Sequence, residues 1–252
     1  MAIRLNKTSV SEAAHETGPH TSVVFGGSGG LGGALTSALL ARGGRVHAFS
    51  RSQAIPPPSG ALTGSIDITK EASVAAAADQ VQGEIDLVIV ATGRLSGEGM
   101  SPERSFTALD PQALARSFEV NTIGPALLAK HFLPRLAKRR PATFAALSAR
   151  VGSIEDNRLG GWYGYRASKA ALNMLVRSLA VELARTRPLA ICVALHPGTV
   201  DTALSRPFQR NVAAGKLFTP HESAERMLAV LDGLGPCDSG GFYAYDGTRI
   251  PF

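Results

Sequence analysis

The feature that most constrains this fold is a glycine-rich segment, residues 26–33, which contains six glycines. It follows a short apolar and β-branched run at residues 21–25 and precedes helix-forming residues at 34–42. Glycine permits a tight turn and lets backbone N–H groups approach a phosphate, and the N-terminus of a helix adds partial positive charge. A flexible linker is the alternative, but linkers do not normally begin and end on packed elements. The order of strand, glycine loop and helix therefore predicts a nucleotide pyrophosphate site.

Apolar, strand-like runs alternate with helix-like segments along the chain. This alternation predicts parallel strands, and the nearly continuous apolar run at residues 85–91 suits a sheet that is covered on both sides. We therefore predict an α/β fold, a single-domain Rossmann-type doubly wound parallel sheet of about seven strands with helices on both faces, at residues 21–252 after a polar N-terminal extension at residues 1–20. The predicted strands are residues 22–26, 45–50, 61–66, 85–91, 143–148, 190–196 and 241–245, and the predicted helices are residues 32–42, 71–82, 111–138, 163–185 and 221–231.

Residues with useful chemistry follow several of the predicted strands. In a doubly wound parallel sheet the ligand sits beyond the carboxyl ends of the strands, where the strand order reverses. One cleft can therefore collect the residues that end the second to the sixth strands, which are Ser50, Arg51, Ser52, Asp67, Ala91, Thr92, Gly93, Ser148, His196, Pro197 and Gly198.

Tyr165 and Lys169 stand four residues apart in a segment that is rich in helix formers. Positions i and i+4 of a helix lie on the same face, so the phenol and the ammonium are predicted to be neighbours. A nearby cation favours phenolate and lowers a phenol pKa that is about 10 when unperturbed, which would let Tyr165 act as a general acid or base near neutral pH. The alternative is two ordinary residues on an amphipathic helix, because this spacing is common by chance.

The formal net charge of +6 raises the question of nucleic acid as a partner. The densest basic cluster, Arg135 with residues 138–140, would end a helix, where cations complement the helix dipole, and we find no nucleic-acid-binding motif. We expect neither a nucleic-acid nor a membrane partner, because no apolar run approaches the length of a membrane span. Cys192 and Cys237 suit a reducing, cytoplasmic compartment, and neither they nor the six histidines show the spacing of metal ligands.

With these motifs in this order, residues 21–250 resemble the short-chain dehydrogenase/reductase family, and in particular its subgroup of C-factor and sniffer-type carbonyl reductases. Several motifs in the right order are together highly specific. The family's cofactor fingerprint is matched by Gly26, Gly30 and Gly32, and its adenine contact by Asp67. Its proton-relay asparagine is matched by Asn121, and its nicotinamide contact by residues 197–202. Its catalytic pair is matched by Tyr165 with Lys169.

The resemblance implies an oxidoreductase that interconverts a carbonyl and an alcohol by hydride transfer from or to NAD(P). Tyr165 would be the general acid or base, Lys169 would lower its pKa and hold the nicotinamide ribose, and Asn121 would support the relay water. The expected partners are a small-molecule carbonyl or alcohol and, in a homo-oligomer, further copies of the chain. The implied cofactor-binding residues are Gly26, Ser28, Gly29, Gly30, Leu31, Arg51, Asp67, Ile68, Ala91, Thr92, Gly93, Tyr165, Lys169, Pro197, Gly198, Val200 and Thr202.

Two positions depart from the family's pattern. After the fourth strand the family often has Asn-Asn-Ala-Gly, whereas residues 90–93 read Val-Ala-Thr-Gly. The family's catalytic serine usually stands three residues before a glycine, but that position, counted from Gly152, is Ala149. Ser148 is then the candidate for polarising the carbonyl, although adjacent strand residues point to opposite faces. Loss of one such donor typically raises the barrier by about 2.7–4 kcal/mol, so we expect reduced activity rather than none.

The preferred cofactor can be predicted from the charge at the end of the second strand. An NAD site of this type places an acid there to hold the ribose 2′-hydroxyl, and residues 48–52 contain none. Arg51 can instead form charge-assisted hydrogen bonds with a 2′-phosphate, so we predict NADP(H) in preference to NAD(H). The alternative is an ordinary exposed loop arginine.

The sequence leaves the substrate and one alternative function open. Residues 204–217 would select the substrate, and they mix Phe208 and other apolar side chains with basic ones. Such a loop can close over an apolar or anionic molecule, or it can simply pack on the body of the protein. The alternative function is a dinucleotide-binding regulatory or signalling protein with weak or no turnover, which Ala149 and the C-factor resemblance both favour.

Overall fold

The central sheet has seven strands in the computed structural model, which describes residues 20–52, 56–97 and 101–252. The strands along the chain are β1 Thr21–Phe25, β2 Arg45–Ser50, β3 Leu62–Ser65, β4 Leu87–Val90, β5 Ala142–Leu147, β6 Ala190–His196, β7 Thr199–Val200, β8 Leu217–Phe218 and β9 Phe242–Ala244. The order across the sheet is β3-β2-β1-β4-β5-β6-β9, and every neighbouring pair is parallel. The strand order therefore reverses between β1 and β4, where this class of sheet binds its ligand.

Helices cover both faces of the sheet, which confirms the predicted fold class. The helices are α1 Gly30–Ala41, α2 Glu71–Gln80, α3 Pro111–Phe118, α4 Gly124–Phe132, α5 Tyr163–Thr186 and α6 Pro220–Gly233. Apolar side chains of α1 and α6 form a core on one face, and those of α2, α4 and α5 form a core on the other. Neighbouring residues of a strand pack into opposite cores, as Val24 and Phe25 of β1 do, because side chains alternate along a strand.

The prediction of one continuous helix at residues 111–138 is wrong. A π-helical turn at Glu119–Ile123 separates α3 from α4, and a 3-10 turn at Leu133–Arg135 follows α4. Pro125 and Pro134 have no backbone N–H, so neither can donate the i to i−4 hydrogen bond that would continue an α-helix. The interruption places Asn121 inside the π-helical turn.

The other predicted boundaries agree with the structure to within two residues at each end. The separate parallel pair of β7 and β8 was not predicted, because two residues per strand give no periodic pattern. Apart from His20, the predicted N-terminal extension lies outside the described residues. Within the described ranges, no helix is both long enough and apolar enough to cross a membrane.

The basic cluster near residue 138 makes contacts within the protein. Arg135 donates hydrogen bonds to the carbonyls of Ala78 and Val81 at the end of α2, where a cation complements the helix dipole. Arg140 pairs with Asp86 at 2.6 Å and also contacts Glu84. The cations thus stabilise the end of α2 and the start of the central strands β4 and β5, although the helix that Arg135 caps is a different one from the helix that the sequence suggests.

Candidate active site

The glycine-rich segment makes a tight turn between β1 and α1. Gly26 has a φ of +87°, a left-handed value that favours glycine, and its carbonyl accepts a 2.9 Å hydrogen bond from Gly29 N. A Cβ on Gly32 would collide with the Gly26 carbonyl oxygen, so a side chain there would push the turn away from the helix. Among the described residues, no side chain caps the N-terminus of α1, and its first turn holds no acid. This helix end therefore presents N–H groups and partial positive charge to a pyrophosphate.

A cavity of about 470 Å³ lies where the strand order reverses between β1 and β4. At its wall, Thr92 Oγ1 is buried without a hydrogen-bond partner in the described part of the chain, which calls for a ligand or another polar partner. The glycine turn and the Thr92 hydroxyl both fit a dinucleotide. The predicted cofactor-binding residues that line the cavity are Gly26, Ser28, Gly29, Arg51, Asp67, Ile68, Ala91, Thr92 and Gly93.

The segment that follows β6 returns to the glycine turn. A Cβ on Gly30 would lie 3.2 Å from Thr202 Cγ2, so these two residues face each other. The turn after β6 brings the segment there, because Gly198 has a φ of +79°. The remaining predicted cofactor contacts near this junction are Leu31, Pro197 and Val200.

The loop after β2 forms one wall of the cavity. Ser28 Oγ of the glycine turn donates a 3.1 Å hydrogen bond to Ser52 O, which holds the backbone beside the exposed Arg51 against the turn. Asp67 also lines the cavity, but hydrogen bonds from Thr69 to its carboxylate lower the pKa of Asp67. The cavity therefore contains an exposed cation at Arg51 and a carboxylate whose Oδ1 already accepts two hydrogen bonds.

Asn121 is fully buried at the centre of the π-helical turn. Its Oδ1 accepts a 2.8 Å hydrogen bond from Arg94 N, and its Nδ2 donates to Arg94 O at 2.8 Å and to Ser168 Oγ at 3.1 Å. A π-helical turn adds one residue to a helix and is frequent at functional sites. Here it allows one side chain to tie the segment after β4 to α5.

Tyr165 and Lys169 lie next to each other on α5, as their spacing predicts. Lys169 Nζ lies 5.9 Å from the centroid of the Tyr165 ring and donates a 2.8 Å hydrogen bond to Leu147 O at the end of β5. A Cβ on Gly93 would lie 3.7 Å from Lys169 Nζ and 3.7 Å from Asn121 Oδ1. The pair, the π-helical turn and the end of β4 thus meet beside the cavity.

Burial changes the pKa values of both groups. It raises the pKa of Tyr165 to about 12 and lowers the pKa of Lys169 to about 8. The direction for Tyr165 is opposite to the one expected from the residue spacing, because loss of hydration outweighs the attraction of a cation 5.9 Å from the ring. Tyr165 is therefore protonated at neutral pH, which is the form that donates a proton, while Lys169 is still mostly charged.

Ser148 is buried between the end of β5 and α5. Its hydroxyl donates a 2.7 Å hydrogen bond to Oδ1 of Asn173, which is also buried. The chain stays extended at Ala149, with φ −146° and ψ 145°, so the side chains of Ser148 and Ala149 point to opposite sides. The predicted carbonyl-polarising hydroxyl is thus engaged with α5.

Sequence reasoning missed the residues that hold the start of α5. Trp162 N donates a 2.6 Å hydrogen bond to Glu103 O, and Gly164 N donates a 3.1 Å bond to Glu103 Oε2. The Trp162 ring contacts Tyr165 and Phe208, with ring centroids 6.4 and 5.0 Å apart. Glu103 stands 59 or more positions away from the residues that it contacts, and Phe208 belongs to a loop. In the sequence, only the glycines before Trp162 indicate an unusual turn.

The first comparison with known proteins concerns the sequence. Residues 20–213 match the profile of a family described as short chain dehydrogenase. The C-signal protein of Myxococcus xanthus is 40% identical over 145 residues, which are 57% of this chain and 81% of that protein. The family match at residues 20–213 covers the glycine turn, the cavity and α5, so sequence and geometry point to the same site.

Solved structures show the same fold over nearly the full length of this chain. The NADPH-bound carbonyl reductase from chicken fatty liver superposes with a TM-score of 0.81 and 27% identity, over 93% of this chain and 94% of that one. The carbonyl reductase Sniffer of D. melanogaster superposes with a TM-score of 0.80 and 25% identity, over 93% of this chain and 100% of that one. At this coverage, both similarities extend past residue 213.

Proposed function

This chain belongs to the short-chain dehydrogenase family and is an NAD(P)-dependent oxidoreductase, and we propose that it interconverts a carbonyl and an alcohol with NADP(H). The observation that carries the proposal is the meeting of Lys169 Nζ, Asn121 Oδ1 and Gly93 beside the cofactor cavity, with the Tyr165 ring 5.9 Å from the ammonium. This arrangement puts a proton donor, a cation and a buried amide around one point. The carbonyl reductases with a similar fold support the same reaction class.

In the direction of reduction, Tyr165 would donate its phenolic proton to the substrate oxygen. The cofactor supplies the hydride to the carbonyl carbon when it is bound, so that the C=O bond becomes CH–OH. The phenolate that remains on Tyr165 is stabilised by the Lys169 ammonium, which the hydrogen bond to Leu147 O holds in place. Asn121 would fix the neighbouring backbone and support a water that returns a proton to the phenolate.

A hydrogen-bond donor to the substrate carbonyl at the end of β5 has less support. Ser148 is the nearest serine to the family's position, but its hydroxyl proton goes to Asn173. We propose that Tyr165 is then the main hydrogen-bond donor to the carbonyl and that turnover is slower than with a second donor.

We propose NADP(H) rather than NAD(H) because Arg51 lines the cavity at the end of β2, where no acid stands to bind a ribose 2′-hydroxyl. A guanidinium can meet a phosphate in a bidentate geometry. The NADPH carried by the chicken carbonyl reductase is consistent with this choice.

The experiment that tests the function is NADPH oxidation by the purified protein with a panel of aldehydes and ketones. Tyr165→Phe should lower the turnover number by about 100-fold or more while NADPH affinity is nearly unchanged, because only a transferable proton is lost. Tyr163→Phe is the matched control, since two residues along a helix place Tyr163 about 200° away from Tyr165. Loss of turnover in Tyr163→Phe with full turnover in Tyr165→Phe would reverse the assignment.

The alternative is a dinucleotide-binding regulatory protein with weak or no turnover. Ala149 and the 40% identity to the C-signal protein favour it. Tight NADPH binding together with no reduction of any carbonyl on the panel would support the alternative and contradict the enzyme.

We also propose a homo-oligomer in the cytoplasm. Met174 and Val181 lie seven residues apart on one face of α5 and expose 66% and 46% of their surface, and Ile123 exposes 50%. Size-exclusion chromatography with light scattering should show an oligomer that Met174→Glu with Val181→Glu dissociates.

Cys192 and Cys237 are both free, which suits a reducing compartment.

A further inference from the structure

Three successive left-handed residues lead into α5. Gly160, Gly161 and Trp162 have φ values of 63°, 65° and 51°. Within the described ranges, Trp162 is the only residue other than glycine with a positive φ. A bulky side chain in this conformation is strained, and such strain persists only where the surroundings hold it and often serves a site.

Two residues hold this strained turn. Glu103 is buried and accepts hydrogen bonds from Trp162 N through its main-chain carbonyl and from Gly164 N through its carboxylate. Arg166 Nε donates to the carbonyls of Gly160 and Gly161 at 3.1 and 3.0 Å. The backbone is thus fixed from both sides, and the direction of the Cα–Cβ bond of Trp162 is fixed with it.

The indole lies between the catalytic tyrosine and the loop that joins β7 to β8. Its ring meets Tyr165 at an interplanar angle of 67° and Phe208 at 61°, both edge-to-face. Phe208 belongs to a 3-10 turn at Arg206–Asn211 of that loop. Trp162 and Phe208 are both only partly buried, so they present ring surface next to the phenol.

Building on the proposed function, we propose that Trp162 and Phe208 form an aromatic wall beside the Tyr165 phenol that selects carbonyl substrates carrying a flat aromatic group. An aromatic ring can join an edge-to-face cluster because the positive edge of one ring meets the negative face of another. A saturated ring of the same size has the same apolar area but lacks this complementarity. The aromatic wall therefore distinguishes an aromatic ring from a saturated ring by the shape of the ring and by its charge distribution.

Binding can be measured without turnover, because Trp162 is the single tryptophan of the chain. Benzyl alcohol should change the tryptophan emission of the NADPH-bound protein, which has no hydride acceptor, in a saturable way, with an affinity roughly three- to tenfold higher than that of cyclohexylmethanol. Phe208→Leu should reduce this preference, whereas Phe106→Leu, at an exposed phenylalanine outside the wall, should keep it. Equal affinities for the two alcohols in the wild type would overturn the proposal.

Turnover gives the second test, as the ratio of kcat/KM for benzaldehyde to kcat/KM for cyclohexanecarbaldehyde. Trp162→Leu should bring the ratio close to that of the uncatalysed reactivity, and Trp162→Phe should restore most of the wild-type ratio. Trp162→Gly removes the indole ring and relaxes the backbone, so it gives the kcat/KM ratio without the ring in a variant that folds readily. An unchanged ratio in both Trp162→Leu and Trp162→Gly would also overturn the proposal. If the wild type reduces neither aldehyde, the proposed function fails, while the fluorescence titration still decides whether the wall binds aromatic rings.

Discussion

The Ser148 hydroxyl donates its proton to Asn173 Oδ1 at 2.7 Å, which ties the end of β5 to the middle of α5. Both side chains are buried, so the bond has little competition from water. Ala149, the next residue, points to the opposite side and carries no donor. The position that the family resemblance implies for a carbonyl-polarising serine is therefore apolar in this chain.

We expect Ala149→Ser to increase kcat for carbonyl reduction by about tenfold or more, because it adds a hydrogen-bond donor where charge develops on the substrate oxygen. Ser148→Ala should leave kcat nearly unchanged and lower the free energy of unfolding by about 1 kcal/mol through loss of the bond to Asn173. Steady-state kinetics and urea unfolding measure the two effects. A loss of kcat in Ser148→Ala without loss of stability would show that Ser148 is itself the donor.

The rate of carbonyl reduction should fall as the pH rises through about 8. Burial lowers the pKa of Lys169 to that value, so the ammonium is charged below it and neutral above it, whereas Tyr165 keeps its proton until about pH 12. The measurement is kcat/KM against pH for the wild type and for Lys169→Arg, whose guanidinium stays charged in this range. The descending limb should move to higher pH in Lys169→Arg, and a limb that does not move would assign the titration to another group.

Replacing Arg51 with alanine should weaken NADPH binding by roughly one to two orders of magnitude, because a charge-assisted hydrogen bond to the 2′-phosphate is lost. NADH lacks that phosphate and should bind almost as before. Titration calorimetry with both cofactors measures the difference, and Arg42→Ala, at the opposite end of α1, is the control. Equal weakening of both cofactors would mean that Arg51 only supports the loop, and tighter NADH than NADPH binding in the wild type would contradict the cofactor proposal.

His196 should make the fold sensitive to mild acid. Burial, followed by the charge of Arg150, lowers the pKa of His196 from 6.5 to about 4, so the folded protein keeps the ring neutral while the unfolded chain protonates it. The contribution of His196 to the free energy of unfolding is complete above pH 6.5. It decreases by on the order of 2 kcal/mol as the pH falls toward 4. Urea unfolding at several pH values should show a shallower loss in His196→Asn than in the wild type. The same change at the exposed His221 should leave the pH dependence intact.

The strand pattern was predictable because a sheet covered on both faces needs nearly continuous apolar runs, such as residues 87–90 and 190–196. The break at Glu119–Ile123 was not, because the π-helical turn is stabilised by contacts of Asn121 with Arg94 and Ser168, which are distant in sequence. Local propensity favours helix on both sides of the break and cannot show where it falls.

The site was predictable where short spacing defines it, as in the glycine turn and the pair of Tyr165 and Lys169. The pKa direction of Tyr165 was not, since it depends on how completely distant elements bury the phenol. The anchoring of Trp162 by Glu103 depends on a contact between residues 59 positions apart and has no local sequence pattern.

The π-helical turn also limits how this chain can change in evolution. Because a π-helical turn holds one residue more than an α-helical turn, deleting one residue from Glu119–Ile123 would leave a regular helix whose later residues keep their orientation. Leu128 and Phe132, which are fully buried, would stay in the core, but Asn121 would lose the position from which it contacts Arg94 and Ser168. Single-residue deletions in this segment should therefore be rejected by selection, and insertions or deletions should accumulate in the loop between β7 and β8, where substrate preference can diverge without loss of the fold.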